Sequence, residues 1–153
     1  MRYNGAVRLA PVLLVALALA GCGDNVDVEL VWGGPPDAAP GGAVSTDGFA
    51  GFQKEVDEGW ERSPALAAGI FLRLDERTAT RTTIDAKAGP EGGGDQIVVV
   101  TLDGLADDSV RTERWTLGFE EGEDGVYALT GALRELRCHE GRGHQEFAGE
   151  ACV

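Results

Sequence analysis

The side chains best able to do chemistry gather near the C-terminus. Cys138-His139-Glu140-Gly141-Arg142-Gly143-His144 carries both histidines of the chain, and Cys152 follows. Thiolates and imidazoles are zinc ligands, so a metal site is the first chemistry to weigh. The spacing argues against it. No C-x-x-C pair is present, and Cys138 adjoins His139, which seldom lets both side chains reach one ion. Arg142 stands between two glycines, where its planar guanidinium could grip a carboxylate or phosphate with two prongs; the plainer reading is a glycine turn. His144 could act as a base toward Ser109, which follows Asp107-Asp108. Yet no G-x-S-x-G surrounds Ser45, Ser63 or Ser109, the chain's only serines. No EF-hand loop, phosphate loop or dinucleotide fingerprint is present. Carboxylate pairs are too common in so acidic a chain to indicate glycoside chemistry. Arg142 and His144 are therefore candidate ligand-binding residues, no residue is assigned as catalytic, and no cofactor or metal is implied.

The third cysteine has a different setting. Arg2 and Arg8 make a positive start, and Leu9 to Ala20 is almost wholly apolar. About a dozen apolar residues suit a signal peptide, whereas a membrane-crossing helix needs roughly 20. Small residues follow, ending at Leu19-Ala20-Gly21-Cys22. This stretch resembles the lipobox of bacterial lipoprotein precursors. The resemblance implies that Cys22 takes a diacylglyceryl group and becomes the first mature residue, lipid-anchored on the extracytoplasmic face of the cell membrane. A single acyl chain binds membranes only marginally, and a diacylglyceryl group supplies two. If the anchor uses Cys22, then Cys138 and Cys152 remain as a pair. An oxidising compartment favours a disulfide between them, closing the otherwise weakly apolar tail. The two Cα atoms would then lie within about 4.4–6.8 Å.

Removing residues 1–21 leaves a chain long enough for one domain with its own core. The full sequence holds 13 Lys+Arg and 26 Asp+Glu. Without Arg2 and Arg8, 11 cations face 26 acids, a net charge of −15. Such a surface repels nucleic acid and anionic headgroups. Solubility is the ordinary reason for it.

The elements that must hold these residues follow from periodicity. Residues 22–44 form the lipidated cysteine and a flexible tether, because Gly33-Gly34-Pro35-Pro36 and Pro40-Gly41-Gly42 suit neither helix nor central strand. Val26, Val28, Leu30 and Trp32 alternate and could make a short strand, or Trp32 could rest on the domain or on the membrane headgroups. Phe49, Phe52, Val56 and Trp60 share one helical face, which predicts a core-facing helix behind the caps Ser45, Thr46 and Asp47. Ser63-Pro64 opens a second helix to about Leu74, with Leu66, Ile70 and Leu74 on one face. Period two then takes over. Thr82, Ile84 and Ala86 alternate along a half-exposed strand. Gln96 to Leu102 is apolar on both parities and reads as the central strand. Trp115, Leu117 and Phe119 alternate along a third strand, and Val126 to Arg137 makes a fourth with a bulge near Gly131. The class is α+β: two N-terminal helices packed on a four-stranded antiparallel meander over 45–153. A cystatin-like or NTF2-like sheet curled over a helix suits this order.

Two runs carry a further resemblance. Val98-Val99-Val100-Thr101-Leu102-Asp103-Gly104-Leu105-Ala106-Asp107-Asp108-Ser109-Val110 and Arg137-Cys138-His139-Glu140-Gly141-Arg142-Gly143-His144 are similar to segments of uncharacterised actinobacterial lipoproteins. The similarity implies an extracytoplasmic lipoprotein and transfers no activity. The expected function is a membrane-anchored lipoprotein with a small non-catalytic binding or interaction domain, its partner a protein or small molecule. The alternatives are an envelope hydrolase with a site near His144 and a structural subunit of an envelope complex.

Overall fold

A computed structural model describes residues 31–36, 41–56, 58–88 and 94–153. The expected signal peptide, Cys22 and most of the alternating Val26–Trp32 run lie outside the described residues. The chain is α+β. It holds a five-stranded, wholly antiparallel sheet and two α-helices. Strand β1 (Gly42–Val44) is followed by helix α1 (Asp47–Glu55), a 3-10 turn (Gly59–Arg62) and helix α2 (Pro64–Phe71). Strands β2 (Ala79–Ala88), β3 (Gln96–Leu105), β4 (Val110–Glu121) and β5 (Tyr127–Cys138) complete the fold. The sheet order is β1-β5-β4-β3-β2, so the expected meander carries one strand more than its expected four.

The added strand corrects the tether, which was expected to run to residue 44. Gly42, Ala43 and Val44 pair with Arg134, Leu133 and Ala132 of β5. Three small residues beside a Pro-Gly-Gly run give no alternation to read. They succeed as a strand because they cap an edge, where short strands are common. The C-terminal tail covers the rest of that edge, with Ala148 bridging to Leu136. A Cβ on Gly41 would lie 2.7 Å from Gly149 backbone, so only glycine fits at this crossing.

Strand alternation sets the core. Val98 and Val100 on β3, Trp115, Leu117 and Phe119 on β4, and Leu129 and Ala132 on β5 are buried. Phe49, Ala67, Ala68, Phe71 and Leu72 pack on them from the helical side. The central strand by position is β4, with β3 between it and the exposed edge strand β2. The bulge falls where expected: Gly118 faces Gly131 and Phe119 faces Leu129, leaving Thr130 over.

The first helix is shorter than its aromatic spacing predicts. It stops at Glu55, and Val56 is extended. Glycine costs a helix interior about 1 kcal/mol relative to alanine, and Gly59 lies in the path. Trp60 re-enters through the 3-10 turn instead and stacks on Phe52 at 6.0 Å. The aromatic cluster thus forms without one continuous helix. Phe49 alone is fully buried; Phe52, Val56 and Trp60 are half-buried.

Helix α2 begins as read, with Ser63 Oγ accepting from Leu66 N and Pro64 in the first turn. Its end accounts for every late carbonyl. Ala68 O accepts from Leu72 N, Gly69 O from Leu74 N and Ile70 O from Arg73 N. Phe71 O accepts from the Trp32 indole at 2.9 Å. This is a Schellman closure, and the left-handed residue glycine usually fills is Arg73, at φ 51.

Candidate functional site

Two places gather the side chains of interest, and one of them is a cavity. The first lies on the outer side of the helical layer. Residues 31–36 cross it as a strap, and Trp32 inserts among Phe49, Phe52 and Phe71, with ring centroids 5.2, 6.1 and 6.1 Å away. Arg73 Nη1 donates to Trp32 O at 2.6 Å, fixing the strap's backbone. Of the alternatives for Trp32, it rests on the domain. Between strap, 3-10 turn, α2 and β2 opens a groove of about 440 Å³. Its walls include Trp32, Phe52, Trp60, Leu66, Ile70 and Leu74, with Val31 and Ile84 at its edges. The face Leu66-Ile70-Leu74 is thus the groove wall, while Ala67, Ala68 and Phe71 make the core side of α2. Sequence periodicity found the face but not what it meets.

The second place is the C-terminal loop. Cys138 and Cys152 are bonded, with Cα atoms 5.4 Å apart. Residues Cys138, His144 and Cys152 lie close enough to suggest a metal, their ligand atoms within 4.8 Å. Two sulfurs bonded to each other offer no thiolate, so this grouping is a closed loop and not a ligand set. Gly143 (φ 136) passes over the bridge; a Cβ there would come 2.9 Å from Cys138 Sγ.

His144 is spent inside this loop. Its Nδ1 lies 2.8 Å from Glu146 O and its Nε2 3.0 Å from Glu150 O. A neutral imidazole donates only once, whereas an imidazolium satisfies both carbonyls. The Glu150 carbonyl and then the Glu146 carbonyl push the His144 pKa up. Neither ring nitrogen is free to serve Ser109. Arg142 is exposed, and its backbone carbonyl accepts from Val153 N. Asp107 is likewise a turn-former. Its carboxylate accepts from Val110 N and Ser109 N, which hold its pKa below the usual range. The structure brings His144 to the disulfide and leaves Arg142 at the surface, apart from the groove.

Two ionic groupings escaped sequence reading. On the helical face, Glu113 is buried and binds Arg77 Nη1 at 2.7 Å and Arg134 Nε. Both guanidinium groups lie over Trp115, at 5.8 and 5.7 Å. The parity of Trp115, Leu117 and Phe119, extended backward, would have placed Glu113 inward. On the opposite face, Thr112 Oγ1 donates to Asp103 at 2.6 Å, and Arg137 approaches both. The threonine hydroxyl, with Arg111, Arg137 and Arg81 nearby, lowers the Asp103 pKa. Phe147 lies beneath Arg114 and Arg137, at 4.0 and 5.1 Å, so the tail docks on this outer face.

No family model, curated protein or solved structure matches the chain. No described helix is long and apolar enough to cross a membrane.

Proposed function

We propose that the chain is a lipoprotein held by a lipidated Cys22 on the extracytoplasmic face of the cell membrane. Its domain binds an apolar ligand and performs no catalysis. The observation that carries this reading is the groove. It is open, walled by aromatic and aliphatic side chains, and of the size that small ligands occupy. Its partners are the membrane, through the anchor, and a small apolar molecule. Nucleic acid is excluded from the reading because a mature charge of −15 repels phosphate. A cystatin-like or NTF2-like arrangement is part of this proposal by analogy of element order alone, and it carries no activity.

The groove is tested with the uncharged dye N-phenylnaphthylamine, whose emission rises on entering an apolar site. The wild-type chain is expected to saturate, and Leu66→Glu, a change at an exposed position of the groove wall, to lose the signal while keeping its melting temperature. Equal dye binding by both would refute the groove as the site. The anchor is tested separately by metabolic labelling with a fatty acid. Cys22→Ser is expected to abolish the label, and equal labelling would overturn the lipoprotein reading.

A further inference from the structure

The groove has a lining that is mostly hydrocarbon. Its polar side chains are Trp32, Glu58, Trp60, Arg73 and Asp75. Each is held by another group of the protein. Trp32 donates to Phe71 O, and Trp60 Nε1 donates to Glu58 at 3.0 Å. Arg73 binds Trp32 O and pairs with Asp75 and Glu76. Specific recognition of a polar ligand needs donors and acceptors aimed at it. Here the two indoles and the Arg73 guanidinium are engaged, the Glu58 and Asp75 carboxylates are exposed to solvent, and most of what lines the groove is apolar.

Exposure is concentrated at the same place. Among the described residues, five large apolar side chains are exposed, and three of them edge this groove: Val31 at 63%, Leu66 at 58% and Ile84 at 40%. Apolar side chains gathered around an apolar opening mark a surface that meets another apolar phase. The chain itself indicates which phase. Val31 follows Cys22 by nine residues. Even fully extended, that span reaches about 30 Å. With Cys22 at the bilayer, the groove cannot stand farther than this from the membrane surface.

We infer that the groove receives one acyl chain of a bilayer phospholipid, with Val31, Leu66 and Ile84 seated at the bilayer interface. The inference rests on the proposed apolar-ligand groove and the Cys22 anchor. Glu58 and Asp75 at the rim, and the strongly negative domain, disfavour anionic headgroups. Zwitterionic lipid is therefore the better donor.

The test uses the processed full chain with phosphatidylcholine vesicles whose acyl chains are brominated mid-chain. Bromine quenches tryptophan on contact. Trp32 and Trp60 line the groove and Trp115 is buried in the core. The expected result is loss of up to two-thirds of the emission, the share of two among three tryptophans. Leu66→Glu, a change at an exposed helix position, is expected to restore the emission and leave the melting temperature unchanged. A brominated single-chain phosphatidylcholine, below its micelle concentration, is run in parallel. Quenching by the single-chain lipid but not by vesicles would overturn the bilayer as the source. Quenching by vesicles that Leu66→Glu does not relieve would place the contact outside the groove and overturn the inference. No quenching by either lipid overturns it as well. In that case the uncharged dye separates the failures: dye still bound leaves the groove reading standing, and dye unbound removes both.

Discussion

Trp32→Ala should cost this domain about 3 kcal/mol. The figure is built from what the side chain touches. A fully buried large aromatic truncated to alanine costs about 3–5 kcal/mol, and Trp32 is half-buried, which takes roughly half of that. Its edge-to-face contact with Phe49 and its stacking on Phe71 are included there. The truncation also strands Phe71 O, the one late carbonyl of α2 that no backbone group satisfies. Leaving a buried acceptor without a partner costs about 1–3 kcal/mol, and this bond is only part-buried, so the low end, about 1 kcal/mol, applies. For a domain of this length, each kcal/mol moves the melting temperature by about 3–5 °C, so the expected fall is about 9–15 °C. Trp32→Phe keeps a ring and loses only the indole donor, so its fall should be about a third as large. Circular dichroism melts of the three chains decide the matter. Unchanged melting of Trp32→Ala would mean that the strap is not docked on α2, and the groove would lose its wall. A cycle with Arg73→Gly sharpens the test, because Arg73 grips the strap's backbone at Trp32 O. Two residues sharing one contact should couple by about 0.5 kcal/mol or more, and strict additivity would separate the clamp from the indole.

Glu113→Ala should destabilise by about 2–4 kcal/mol in urea melts. Breaking a buried ion pair costs about 3–5 kcal/mol, and Arg77 and Arg134 are partly exposed, 28% and 23%, so they recover some hydration. A loss under about 1 kcal/mol would show that the triad is not closed in solution. Reduction, or Cys138→Ala with Cys152→Ala, removes a bridge closing a loop of about 15 residues, worth roughly 3 kcal/mol in the chain-entropy model. Non-reducing peptide mapping should recover the two cysteines as one linked species, and free thiols would contradict the pairing. His144 has its pKa raised in the folded loop by two carbonyls. The ring therefore binds its proton more tightly in the folded chain than in the unfolded one. Its contribution is complete below the ordinary histidine pKa of about 6.5 and is lost as pH rises through the folded value. Hydrogen exchange at Cys138 N and Val153 N, both bonded within the loop, should be slower relative to the intrinsic rate at pH 5 than at pH 8. His144→Ala should erase that difference, and a difference that survived the substitution would exclude the imidazolium as its source.

The sequence was most legible where one local rule governs one residue. Ser63-Pro64 makes a helix start by capping and by a fixed φ, and the structure has it there. The alternation of Trp115, Leu117 and Phe119 reports a strand with one buried face, whatever covers that face. The pairing of Cys138 with Cys152 came from parity and compartment. Legibility failed wherever a contact between distant segments outvoted local preference. β1 is a strand only because β5 offers it an edge. α1 ends short because Trp60 can reach Phe52 and Phe49 from a separate turn.

The groove follows the same logic. A helix with apolar side chains on most of its surface must bury one side and show another, and periodicity does not say which. In α2 the alanines, small enough to let the helix sit close on the sheet, took the buried side with Phe71. The larger Leu66 and Ile70, with Leu74 just past the helix end, were left to line the opening. Close approach by alanine and exposure of leucine are two sides of one packing choice. Trp32 then closes only part of what that choice left open, because its indole is drawn to Phe71 O and its backbone to Arg73. The cavity is the space beyond the reach of a strap pinned at those two points, and Trp32→Ala should open it wider at the same time as it weakens the fold.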